Sequence, residues 1–476
     1  MQQLLNPFAQ KYPEAVDATL PAQATSVRFN PSGPFAGHYL AAGGSDGLIE
    51  IWDVDTRGVV RVLEGHVKAV TGLSWSRNNR YLLSASLDGA AIVWDLAALT
   101  PLLRPRTRVR PTSTARRRTI RFDAPLVAAA FHPRNSGVIL ATLACNEVVL
   151  VDLRAGGGAT GGATGGRFVL EDVMEGDADE EEGRRKSSIC CATWSPCGGR
   201  IYAGTTSGVV LVLDPVSRLV QARIRVGTSG IRQLAFDASG RGLVLSSSDR
   251  ALRVLNVSPA TGALAPIHRF QDLVNRTPWH AIGFSGDGEY VMGGGGHKMT
   301  HNVFVWDRDS GVLVKVLEGP KEPLLDCDWH PTRPVIASVA NSGDIHIFQT
   351  AQPDNWAAFA AGFEELEENV EYDEREDEFD IEDEDALARK KDAAEDEVID
   401  VLTVQADYPR RPDPAIALAN GDAPAPDDAE SEEARAARML AAAAEWADAD
   451  PDDDTWDGFY LSLNLLGEAV DDEDTS

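Results

Sequence analysis

The residues whose types and spacing could do chemistry fall into a few sets, each with a plainer competing reading. His66 and Asp88 could serve as an acid/base pair, because an imidazole and a carboxylate within hydrogen-bond reach can pass a proton. They sit in Gly65-His66 and Asp88-Gly89, at the borders of alternating apolar runs, where a hydrogen-bond chain pinning strands accounts for them better. Arg104, Arg106, Arg108, Arg110, Arg116, Arg117, Arg118 and Arg121 crowd one Pro/Arg-rich stretch, 101–121. A flexible arginine arm of that kind can neutralise nucleic-acid phosphates; a nuclear-localisation signal, or an insertion pairing with the chain's own acidic segments, would use the same residues. Gly293 to Gly296 are four consecutive glycines after a strand, but neither a Walker lysine nor a GxGxxG pattern follows, which leaves a flexible turn. Cys145, Cys190, Cys191, Cys197 and Cys327 lack regular, CxxC or metal-site spacing, and read as buried inert thiols of a reducing compartment, Cys190 and Cys191 on opposite faces of a strand. HExxH and EF-hand patterns are missing too, and a run of solvated carboxylates is not a preorganised pair. The sequence predicts no enzyme: no catalytic residue, cofactor, metal or small-molecule substrate.

The elements that must position these residues emerge from a break in composition. Residues 1–350 hold 36 Lys+Arg against 33 Asp+Glu and the remainder 8 against 41, so the net charge of -30 splits as +3 and -33. The first part alternates short apolar runs with Gly, Ser, Asn and Asp, and the second is dominated by like charge, which favours an extended, solvated chain. Within the first part a motif recurs about every 42 residues, most clearly from Gly65 to Asp95. There an apolar run ends at Trp75, a second follows a polar turn, and a third closes on Trp94-Asp95 after the Asp88-Gly89 turn, which makes three antiparallel strands. Closing positions recur at Trp52, Trp94, Val151, Leu213, Leu255, Trp306 and Phe348. Aromatic-plus-turn signatures recur at Phe29, Trp75, Phe131, Trp194, Phe236, Phe284 and Trp329, giving the same seven copies. Such units bury their faces only against neighbours, so they must close into a ring, with the segment before Ser26 supplying the latch strand. The expectation is an all-β fold, a seven-bladed WD-repeat β-propeller over 1–350 with insertions at 101–121 and 154–186, followed by a largely disordered acidic C-terminal tail. No apolar run reaches the ~18 residues of a membrane span, and the N-terminus has no signal-peptide pattern, so a soluble, unsecreted protein is expected.

The tail is not featureless. From 351 to 385, Trp356, Phe359, Phe363, Leu366, Tyr372, Phe379 and Ile381 interrupt the acid, as in linear docking motifs whose aromatics fill pockets while carboxylates meet basic grooves. The linker 386–430 contains a β-branched island, 397–404, suited to a strand edge or a cleft. An Ala-rich helical pattern and an apolar cluster occupy 431–476.

Leu273 to Trp279, Phe284 to Tyr290, Asp328 to Pro331 and, above all, Glu368 to Tyr372 with Phe379 to Asp385 resemble the retinoblastoma-binding protein five family. That family is the WD-repeat core subunit of COMPASS and MLL-type histone methyltransferase complexes, and the resemblance extends over residues 1 to about 405. It implies a noncatalytic nuclear scaffold supporting methylation of lysine four of histone H-three by a separate SET-domain subunit. It also implies that Asn355, Trp356, Phe359, Phe363 and Leu366 form an activating segment beside the SET domain. Glu371, Tyr372, Glu374, Arg375, Glu376, Asp377, Phe379 and Ile381 would dock on a SPRY-domain subunit. Val398, Ile399, Asp400, Val401, Thr403 and Val404 would enter a cleft of a second WD-repeat propeller. Arg225, Arg250, Arg276 and Lys298 match positions that family members set against nucleosomal DNA, the last keeping the charge but losing the planar arginine fork. A ubiquitin-ligase substrate receptor or an RNA-processing scaffold is the alternative, with the tail as a spacer. The two insertions and the segment 431–466 have no counterpart in the resemblance.

Overall fold

The computed structural model describes residues 10–33, 35–96, 116–154, 166–174, 188–259, 261–271, 277–297 and 299–350. They hold 28 strands in seven four-stranded antiparallel sheets, the blades of a propeller. Blades 1 to 6 are built from consecutive strands across 24–63, 70–121, 126–170, 189–225, 231–270 and 279–318. Blade 7 takes three strands from 324–349 and its fourth from the N-terminus, where Ala15–Leu20 pairs with Ile345–Gln349 from Ala15↔Gln349 to Leu20↔Ile345. This is the latch expected from the segment before Ser26, and it gives an edge strand a partner that closes the ring.

Second strands such as Tyr81–Ser86 and Gly242–Ser247 are buried along their whole length, because each face meets a neighbouring blade. That is why they read as continuous apolar and small-residue runs without alternation. The core is accordingly split into seven layers, one per blade interface, rather than gathered in one centre. Side chains also reach across the seams between first strands. The N–H groups of Val27 and Phe29 in blade 1 donate to Asp326 (3.2 Å) and Asp328 (2.8 Å) of blade 7, and that of Phe131 donates to Ser74 (3.1 Å). Thr71 Oγ1 donates to the Leu126 carbonyl at 2.9 Å. Backbone groups on the inner strand edges thus find partners on the next blade.

Each first strand begins with a bulge, at Thr25, Thr71, Val127, Cys190, Arg232, His280 and Leu325. At Cys190 the extra residue breaks the simple alternation that placed Cys190 and Cys191 on opposite faces. All five cysteines are free; Cys327 is buried, Cys190 and Cys191 are partly so, but Cys145 and Cys197 lie exposed in turns, against the expectation of uniformly buried thiols.

Three other expectations change. The stretch 101–121 ends in a strand, Arg116–Arg121, the outer strand of blade 2, which tolerates charge because one of its edges is unpaired. Within 154–186, Gly166–Leu170 is the outer strand of blade 3, and the residues after it bind blade 4 through Val220 N–H to the Val173 carbonyl (2.9 Å) and Arg223 to Asp172 (2.6 Å). Gly293, Gly294 and Gly295 form part of the strand Tyr290–Gly295, not a flexible turn. A Cβ on Gly293 would lie 2.8 Å from Leu252 and one on Gly294 2.7 Å from Leu324, so these glycines admit the neighbouring blades' side chains.

Candidate interaction surface

His66 and Asp88 do meet, and their surroundings show what they do. His66 Nδ1 lies 3.0 Å from Asp88 and Nε2 2.7 Å from Ser84 Oγ, which in turn accepts the Trp94 indole N–H at 2.9 Å. A carboxylate only accepts, so Nδ1 carries the proton and Nε2 accepts from Ser84. Burial opposes ionisation of Asp88, yet N–H groups of Ala90 and Val67 and the His66 ring bring its carboxyl below the ordinary range. Every polar atom of this relay is directed at another, and the His66 side chain is fully buried. The relay joins the loop before blade 2, its second and third strands and the turn between them; it offers no face to a substrate.

The relay is eroded elsewhere, and the replacements are informative. In blade 7, Pro320 stands where His66 stands in blade 2, and Ser338 matches Ser84. His301, from the turn before the third strand of blade 6, fills the gap with Nε2 2.6 Å from Ser338 Oγ. Burial, then His346, depresses the His301 imidazole to about 4. In blade 5, Gly227 takes the histidine position, Leu245 the serine and Leu255 the tryptophan, while the turn aspartate persists as Asp249. Asp249 is held instead by Arg253, whose Nη2 lies 2.5 Å away. Burial opposes its ionisation, but hydrogen bonds led by Arg253 and Ser247 bring Asp249 down to about 2.

Of the positions matched to nucleosomal DNA contact, Arg225 and Arg250 are described, and both are exposed. Arg225 ends the outer strand of blade 4 opposite Val209, which begins the third strand, and Arg250 lies in the turn between second and third strands of blade 5. Both therefore lie at the same end of adjacent blades. The Arg250 carbonyl, at φ 62°, accepts the Trp279 indole N–H at 2.9 Å, tying that turn to blade 6. Arg232, in the bulge of blade 5 with Nε 3.4 Å from Ser248 Oγ, adds an exposed cation at this end that the sequence did not mark. Its signal was the bulge, visible only once strands are paired. Arg276 and Lys298 lie outside the described residues, as do Arg104, Arg106, Arg108 and Arg110 of the arginine-rich stretch. The same holds for every tail position singled out from Asn355 through Val404.

Seven four-stranded blades, an N-terminal latch and one intact His-Ser-Trp-Asp relay define a WD-repeat propeller. The family described as "WD domain, G-beta repeat" matches residues 17–53, 57–95 and 311–349. Among curated relatives, the Set1 complex component swd1 of Schizosaccharomyces pombe is 36% identical over 387 residues, covering 80% of this chain and 90% of that one. The retinoblastoma-binding protein 5 homolog of Drosophila melanogaster is 36% identical over 482 residues, covering 98% and 87%. The COMPASS component SWD1 of Saccharomyces cerevisiae is 28% identical, covering 84% and 92%. The solved β-propeller domain of Myceliophteria thermophila Cps50 (Swd1) superposes with a TM-score of 0.60 at 33% identity, covering 70% of this chain and 99% of that domain. The chain belongs to the retinoblastoma-binding protein 5/Swd1 family.

Proposed function

We propose that this chain is a noncatalytic scaffold subunit of a COMPASS/MLL-type histone methyltransferase complex, acting in the nucleus on lysine four of histone H-three. The observation that carries the reading is similarity along 90% of a protein named as a Set1 complex component and 87% of a retinoblastoma-binding protein 5 homolog. The relay supports it, because the buried pair His66 and Asp88 is consumed in holding strands together. In this reading the propeller is a rigid mount whose end at Arg225 and Arg250 faces nucleosomal DNA, and Arg276 and Lys298 contact the same DNA. Residues 355–366 sit beside the SET domain of another subunit, 371–381 on a SPRY-domain subunit and 398–404 in a cleft of a second propeller. The methyl transfer belongs to the SET subunit, and this chain contributes by reducing the conformational entropy lost when that domain assembles.

Purification of the tagged full chain from its own cells, followed by mass spectrometric identification of its partners, tests the assignment. A SET-domain methyltransferase and a SPRY-domain protein should copurify in comparable amounts. Recovery of ubiquitin-ligase or RNA-processing subunits in their place contradicts the proposal.

A further inference from the structure

The eroded relay of blade 5 borders a groove. Gly227 and Leu255 stand where blade 2 has His66 and Trp94, and Arg253 takes the histidine's side, 3.5 Å from where a Gly227 Cβ would lie. Between blades 4 and 5 lies a groove of about 380 Å³ with the buried Leu255 in its lining. Its apolar lining comes from Ile224 and Val226 of blade 4 and from Leu255, Leu264, Pro266 and Ile267 of blade 5. Pro266 stands in the outer strand Leu264–Phe270 and has no N–H to offer, so this edge disfavours recognition by strand addition and leaves the side-chain groove as the recognisable feature. Ile267 is 42% exposed, a large aliphatic residue left open to solvent.

Three arginines border the same groove, Arg225, Arg253 and Arg269. Arg253 is committed to Asp249 and Ser247 and serves as a wall. Among the described residues Arg225 meets a carbonyl, that of Gly227 at 3.4 Å, and Arg269 donates to the neutral Gln271 Oε1 at 3.0 Å and approaches Asp249 no nearer than 3.8 Å. Both are exposed at the rim. Among the described residues, one carboxylate beside three guanidinium groups leaves the rim positive, above a floor of aliphatic side chains. Phosphates alone would leave that floor unused, whereas an acidic peptide with an apolar side chain satisfies both parts.

We infer that this groove docks a short acidic segment of a partner protein carrying one bulky apolar anchor. The anchor enters the groove against Leu264, Pro266 and Ile267, and carboxylates beside it meet Arg225 and Arg269. The site goes beyond the assembly contacts proposed above, which place peptide recognition in the tail of this chain and DNA, not peptide, at Arg225.

Fluorescence anisotropy on the full chain tests the inference, with a labelled peptide of aspartate and glutamate around a central tryptophan as probe. The same peptide with alanine at the centre is the control and duplex DNA the competitor. The tryptophan peptide should bind at least about tenfold more tightly than the alanine peptide, the loss typical of a central anchor. Ile267→Asp, at an exposed position that leaves the core intact, should weaken it by a similar factor. Leu264→Trp, at a partly buried position of the lining, should fill the groove and abolish the preference for tryptophan without changing affinity for DNA. Equal binding of the two peptides, which means plain charge attraction that a nucleic acid would satisfy as well, overturns the inference. So does unchanged binding by Ile267→Asp.

Discussion

At the scale of single residues, the question is whether His66, Asp88 and Ser84 form a machine or a fastening. Ser84 is buried and satisfies two rings at once, the His66 Nε2 and the Trp94 N–H. Ser84→Ala should therefore cost about 2 kcal/mol or more in urea denaturation, since two buried polar atoms lose their partner. An unchanged midpoint would show that the relay is ornamental. His301 gives a pH-dependent counterpart. Its folded value of about 4 lies below the ordinary 6.5, so the unfolded chain takes up the proton first. Its contribution is present above pH 6.5 and is lost progressively as pH falls towards 4. Burial depresses His330 to about 4 in the same way, and Asp328 works in the opposite sense, because burial pushes its carboxyl up to about 6, so bulk stability mixes these contributions. The difference between the native chain and His301→Asn isolates the histidine: the variant should lose up to about 2 kcal/mol less between pH 7 and pH 5. Parallel pH dependences in the two proteins would exclude His301 as the source. The His66 relay was legible in the sequence because all its members fall within one repeat. His301 was not, because it serves a serine 37 residues away on the next blade.

At the scale of elements, closure rests on one short strand. Ala15–Leu20 covers the edge of Ile345–Gln349 and buries Ala18 and Leu20. Removing residues 1–22 should cost about 3 kcal/mol or more from lost ladder hydrogen bonds and apolar burial, and expose an edge prone to pairing between copies. A truncated protein with the native urea midpoint would mean that the ring closes without its latch. The repeats were readable because first strands end on an aromatic and a turn, and third strands close on an apolar residue, whatever happens between. Outer strands were less readable. Arg116–Arg121 carries four arginines in six positions and resembles a loop in composition, yet pairing with Ala90–Asp95 makes it a strand. Its type is decided by the neighbouring blade edge, which local composition does not encode. The glycines of Tyr290–Gly295 mislead in the same way, since packing against Leu252 and Leu324 selects them, not the flexibility glycine suggests.

At the scale of the whole molecule, the charge split of +3 against -33 separates the propeller from an acidic remainder, the proposed docking tail. If the end bearing Arg225 and Arg250 meets DNA, replacing both by alanine should weaken duplex binding uniformly across sequences. It should also flatten the plot of log affinity against log salt by about two, roughly one phosphate contact per arginine. An unaltered slope would place DNA elsewhere on the ring. The candidate tail motifs were visible in the sequence as aromatic and β-branched interruptions of acid. Which partner each takes came from family resemblance, because a docking motif's shape is completed by the surface it meets. In the proposed reading this chain assembles a methyltransferase complex chiefly through that tail, so the most direct measurement compares the full chain with one lacking residues 355–404. Pull-down of purified SET-domain and SPRY-domain subunits should be lost with the segment while the propeller's thermal transition stays in place. Equal recovery of both subunits by the two proteins would contradict the account.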